Sequence, residues 1–109
     1  MRLAEQGLVK AKLAPNIVVD CSHANSMKDA TLQPLVFNDC AHQILEGNRS
    51  IVGMMLESNL EAGSQPIPEN LSQLRYGVSV TDPCIDWKST EDLLGRAHRD
   101  LAAILKQRN

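Results

Sequence analysis

An imidazole and two carboxylates are the groups in this chain whose placement can do chemistry. His23 stands in Asp20-Cys21-Ser22-His23-Ala24-Asn25-Ser26, directly after the apolar run Ile17-Val18-Val19. Glu57 follows a second apolar run, Ile51-Val52-Gly53-Met54-Met55-Leu56, and opens Glu57-Ser58-Asn59-Leu60. Asp82 follows Tyr76-Gly77-Val78-Ser79-Val80-Thr81 and precedes Pro83. The two apolar runs read as strands, and α/β folds place chemistry at the carboxyl ends of strands. Both strands then deliver a side chain from the same end, and a loop folding back supplies the third. One imidazole nitrogen with two carboxylates suits Mn²⁺, Fe²⁺, Co²⁺ or Zn²⁺ rather than Ca²⁺. Such an ion with an open position acts as a Lewis acid on a carbonyl oxygen.

Each of these residues also has a plainer reading. His23 can cap its loop or meet solvent. Glu57 can be a solvated carboxylate, and Asp82 before Pro83 can be a turn former. Their separations, 34 and 25 residues, follow no established ligand spacing. Cys21 is either a thiolate or a small buried residue at a strand end. Cys40 falls on an apolar helix face, and Cys84 stays open between the two roles. His42 and His98 fall on polar helix faces and read as surface.

The elements that must position these groups can be read from periodicity. Residues 2–13 carry a weak helical pattern through Leu3, Leu8 and Ala11. Parallel strands are expected at about 17–21 and 51–56, both continuous rather than alternating and so buried on both faces. Gly53 inside the second predicts close approach of another backbone. Helices are expected at about 32–46 and 89–107. The first places Leu32, Val36, Phe37, Cys40, Ala41, Ile44 and Leu45 on one face, with Pro34 in its first turn and Gly47-Asn48 as its stop. The second is capped by Ser89, with Asp92 at capping-box spacing, and its apolar face is Leu93, Leu94, Ala97, Leu101, Ile104 and Leu105. Residues 61–73 read as loop, and Tyr76 to Thr81 as a short extended piece. Strand–helix–strand implies a parallel crossover. Two such strands leave both sheet edges open, so the chain has the look of a quarter of something larger.

The 109 residues allow one domain at most, and 43% hydrophobic content supports a packed core. A net charge of −2 gives no basic excess for a phosphate backbone, so no nucleic-acid partner is expected. No apolar run approaches the roughly 20 residues that span a bilayer, so no membrane partner is expected either. The start, Met1-Arg2-Leu3-Ala4-Glu5-Gln6, has no apolar signal core, and three widely spaced cysteines fit a reducing compartment. A cytoplasmic location is expected.

Three stretches in order carry a family resemblance: Asp20 to Ser26, Gly53 to Ser58, and Tyr76 to Trp87. The chain resembles the carboxyl-terminal part of a class I, microbial-type 3-deoxy-D-arabino-heptulosonate 7-phosphate (DAHP) synthase, from about Leu8 to Leu105. The resemblance implies an α/β fold, residues 1–109 forming the last two βα units of a (βα)₈ barrel. It implies the condensation of phosphoenolpyruvate with erythrose 4-phosphate, the first step of the shikimate pathway to aromatic amino acids. It also implies a homo-oligomer. One divalent metal ion is implied, with His23, Glu57 and Asp82 as ligands. The family's fourth ligand, a cysteine, has no counterpart here, nor has its Lys-Pro-Arg-Thr sugar-phosphate segment. The chain alone is therefore expected to be inactive. A self-associating α/β module and a weak divalent-metal binder are the alternatives.

Overall fold

The computed structural model describes residues 1–108. The elements run in the order α1 (Arg2–Lys10), β1 (Ile17–Asp20), α2 (Gln33–Leu45), β2 (Ile51–Met55) and α3 (Trp87–Lys106), with short 3₁₀ turns at Ala24–Ser26, Ala30–Leu32 and Leu71–Gln73. It is a mixed α/β arrangement in which β1 and β2 pair in parallel. Val18 stands opposite Gly53, Val19 opposite Met54 and Asp20 opposite Met55, after a register irregularity at Ile17/Val18. No helix among the described residues is long and apolar enough to cross a membrane.

The core lies on one face of this sheet. Val19, Cys21 and Ile51 meet Phe37, Cys40 and Ile44 from α2, Leu93 and Leu101 from α3, and Ile85 from the loop between β2 and α3. Burial of these apolar side chains is the main drive for the two helices to lie on the sheet. The expectation of strands buried on both faces is corrected here. Val18 is 65% exposed and Val52 is 55% exposed, because nothing among the described residues covers the second face. The expected backbone neighbour of Gly53 is also absent, since the closest atom to a Cβ there is Val18 Cγ2, a side-chain contact at 3.4 Å.

Helix boundaries follow from local chemistry. Pro34 sits in the first turn of α2, where its missing N–H costs nothing. The helix ends at Glu46 and Gly47, whose φ of +113° no side chain favours. The predicted Ser89 cap of α3 is displaced by one turn. Asp86 caps the helix instead, its carboxylate accepting from Ser89 N–H at 2.8 Å, and Asp92 pairs with Lys88 at 3.2 Å rather than closing a capping box. Leu45, Leu94 and Leu105, expected on apolar helix faces, remain exposed. Cys21 and Cys40 are both buried free thiols. The neighbouring Cys40 thiol, together with burial, pushes the Cys21 thiol far above its usual range, which suits a core residue and not a thiolate.

The stretch from Glu57 to Asp86 is the longest connection, and it is tied rather than slack. Asn59 N–H donates to Ile85 C=O, and Ile85 N–H donates to Glu57 C=O, both at 3.0 Å. Gly63 and Cys84 exchange two backbone bonds. The Gln65 side chain accepts from Arg75 N–H at 3.0 Å and donates to the carbonyls of Arg75 and Val78 at 2.8 and 3.0 Å. The extended piece expected at 76–81 is present only as a single bridge between Ser64 and Ser79. These ties fold the loop back over the end of β2 and bring Asp82 to the sheet.

Candidate metal centre

Three elements deliver the site. β1 ends at Asp20 and hands the chain to a tight turn in which Asp20 accepts from the Ser22 and His23 amides, at 2.8 and 3.4 Å. That turn aims His23 across the sheet end. β2 ends at Met55 and places Glu57 beside it. The tied-back loop supplies Asp82. His23 Nε2 stands 3.5 Å from Glu57 Oε1 and 3.3 Å from Asp82 Oδ2. One ligand atom from each of the three lies within 4.8 Å of the others. Glu57 is the most buried of the three, while the side chains of His23 and Asp82 are 47% and 62% exposed.

Three supporting residues, to which the sequence reading gave no role, hold this arrangement. Asp20 Oδ2 lies 2.8 Å from His23 Nδ1. A proton on Nδ1 donates there, and the Nε2 lone pair of the neutral ring is then turned to Glu57 and Asp82. Ser22 Oγ donates to Glu57 Oε2 at 2.6 Å, leaving Oε1 on the His23 side. The Gln33 side chain, fully buried at the start of α2, accepts from Glu57 N–H at 2.8 Å and donates to Glu57 C=O at 3.1 Å. Asp20 had a readable signal, a carboxylate three residues before the histidine. Gln33 lies 24 residues from Glu57 and had none.

The electrostatics match the geometry. The hydrogen bond to Asp20, reinforced by that to Asp82, raises the His23 pKa above its ordinary value of 6.5. The same bond lowers the Asp20 carboxyl. Donors bound to one ion at about 2.0–2.2 Å stand roughly 3–3.5 Å from one another. The His23 distances to both carboxylates fall in that range, the three atoms together lie within 4.8 Å, and the donor set is a mixed imidazole and carboxylate one. The residues present therefore fit a divalent ion. A cavity of about 340 Å³ opens beside them, walled also by Lys28, Ala30 and Pro83. A larger one of about 690 Å³ shares those three walls but includes none of His23, Glu57 and Asp82. His42 pairs with Glu46 at 3.0 Å on the surface, and neither His42 nor His98 belongs to the site.

A parallel sheet whose strand ends present an imidazole and a carboxylate, with a second carboxylate folded over them, defines an α/β protein with a candidate divalent-metal centre. Comparison with known proteins is more specific. A sequence profile of the DAHP synthetase I family matches residues 2–95, and the chain belongs to that family. It is 48% identical over 104 residues to the Tyr-sensitive phospho-2-dehydro-3-deoxyheptonate aldolase of Enterobacter agglomerans, covering 95% of this chain and 49% of that protein. It is 47% identical to the Tyr-sensitive enzyme of Escherichia coli K12, again over 95% of this chain but 29% of that one. The solved structure of the Francisella tularensis phospho-2-dehydro-3-deoxyheptonate aldolase superposes with a TM-score of 0.78 at 39% identity, over 95% of this chain and 28% of its own. The chain spans half or less of the length of these relatives.

Proposed function

We propose that residues 1–109 are the carboxyl-terminal two βα units of a (βα)₈ DAHP synthase barrel, and that they carry three of its four metal ligands. In this reading His23, Glu57 and Asp82 hold one divalent ion, Mn²⁺, Fe²⁺, Co²⁺ or Zn²⁺, and the fourth ligand, a cysteine, comes from other polypeptide. The whole enzyme condenses phosphoenolpyruvate with erythrose 4-phosphate in the cytoplasm. The bound ion supplies Lewis acidity toward a carbonyl oxygen. The chain's own residues do the orienting. Asp20 fixes the imidazole, Ser22 fixes one oxygen of Glu57, and the loop ties hold Asp82 over both. The observation that carries this reading is the convergence of the three ligand atoms within 4.8 Å at one end of a parallel sheet.

Purified chain titrated calorimetrically with Mn²⁺ tests the metal site. Binding that disappears in His23→Ala supports it, and an unchanged heat in that variant sinks it. Supplying phosphoenolpyruvate, erythrose 4-phosphate and Mn²⁺ tests the rest. The chain alone gives no turnover, because nothing among the described residues encloses the site and positioning supplies much of catalysis. Turnover at an ordinary enzyme rate would refute the partial-barrel reading. A second reading, self-association into a homo-oligomer, is favoured by the bare apolar sheet face at Val18 and Val52.

A further inference from the structure

We propose that Gln33 is a positioning residue for the metal-facing carboxylate of Glu57, an inference that rests on the metal reading above. Glu57 lies two residues beyond the last residue of β2, where the β1–β2 ladder has stopped. Its backbone is nonetheless held at both ends. Gln33 Oε1 accepts from Glu57 N–H at 2.8 Å, and Gln33 Nε2 donates to Glu57 C=O at 3.1 Å. A side-chain amide carries one acceptor and one donor pair in a plane, so it pairs with a single residue much as an adjacent strand does. Holding the N–H and the C=O of one residue fixes the direction of its Cα–Cβ bond. Ile85 N–H takes the second lone pair of the same carbonyl at 3.0 Å, which couples the clamp to the loop carrying Asp82.

The remaining freedom of Glu57 is in its side chain, and Ser22 removes that by binding Oε2 at 2.6 Å. Oε1 is then left toward His23 Nε2. Gln33 itself cannot wander. It is wholly buried at the first turn of α2, followed by Pro34, and both its amide oxygen and its amide nitrogen are bonded to Glu57. Outer-shell groups that hold a metal ligand typically affect affinity roughly 10–100-fold when removed. Gln33 acts one step further back, on the ligand's backbone, and the same range is the expected ceiling.

Co²⁺ is the probe, because its visible absorption reports both affinity and ligand geometry. In Gln33→Met, which keeps length and loses both hydrogen bonds, Co²⁺ affinity falls roughly 10-fold or more and the visible bands of the saturated protein shift. Ile44→Val trims the core behind the sheet, lowers stability, and leaves Co²⁺ affinity and spectrum unchanged. Gln33→Glu keeps the acceptor for Glu57 N–H and is the second test if Gln33→Met does not fold; it too weakens Co²⁺ binding. A Gln33 variant that folds and binds Co²⁺ within twofold of wild type, with the same spectrum, overturns the proposal. So does an Ile44→Val variant that moves affinity and spectrum as much. His23→Ala separates the two claims. Loss of Co²⁺ binding there with normal binding in the Gln33 variants leaves the metal reading standing and removes only this inference, whereas normal binding in His23→Ala removes both.

Discussion

At the scale of single residues, the site is a histidine whose proton position is set by its neighbour. Asp20 holds His23 Nδ1 at 2.8 Å and raises the ring's pKa. A raised folded-state pKa favours the charged ring, so this pair stabilises the metal-free fold below the ordinary histidine value and stops doing so as pH rises through the higher folded value. Asp20→Asn removes the charge and leaves an amide in its place. In an NMR titration of the metal-free chain, the His23 ring protons move toward the ordinary midpoint in Asp20→Asn; an unchanged midpoint contradicts the assignment. In the proposed metal reading an ion replaces the Nε2 proton, so apparent Mn²⁺ affinity is expected to rise with pH and binding to release protons. Asp20→Asn also weakens Mn²⁺ binding, by roughly 10–100-fold, through loss of the orienting bond. His23, Glu57 and Asp82 were legible in the sequence as a group because each is a donor-type residue next to a strand end or a break. Gln33 was not legible, since a buried amide reaching across 24 residues leaves no local pattern.

At the scale of elements, both strands and the two longer helices were readable from apolar periodicity, within a residue or two at each end. The errors have physical causes. The cap of α3 shifted from Ser89 to Asp86 because the Asp86 carboxylate takes the Ser89 amide at 2.8 Å and so starts the helix one turn earlier. That amide bond lowers the Asp86 pKa. A depressed folded pKa gives stability that is present above the unfolded carboxylate value and is lost as pH falls through the folded one. Urea midpoints of wild type and Asp86→Ala therefore differ near neutral pH and converge in strong acid. A constant gap across that range argues against the cap. Residues 61–73 read as plain loop in the sequence because their ties, such as Gly63 to Cys84 and Gln65 to Arg75, join residues far apart in the chain. One turn of the loop from Glu57 to Asp86 depends on Gly77, at φ +80°, where a Cβ would stand 2.8 Å from Leu60 Cβ. Gly77→Ala loosens this loop, seen as faster backbone hydrogen exchange at Glu61, whose N–H donates to Gly77 C=O, with exchange in α2 unchanged. On the sheet's covered face, Phe37→Ala costs about 3–5 kcal/mol in chemical denaturation, the range for emptying an aromatic core position.

At the scale of the whole molecule, the chain is more extended than a compact domain of its length. A compact domain of this length has a radius of gyration near 13 Å. This one has 16.7 Å and measures 52 × 33 × 20 Å, a slab about two layers thick. Helices cover one side of the two-stranded sheet, while Val18 and Val52 lie bare on the other. Both side chains lie on the face opposite the buried Val19 and Ile51, so they can change without touching the core side. The homo-oligomer reading makes a second copy of this chain the cover for that face. Sedimentation velocity then shows an average mass that climbs with concentration. Lysines on an exposed strand oppose such pairing. The double variant Val18→Lys, Val52→Lys stays a monomer at every concentration, with the helical circular dichroism of the parent. A wild-type chain that sediments as one monomeric species at high concentration defeats self-association.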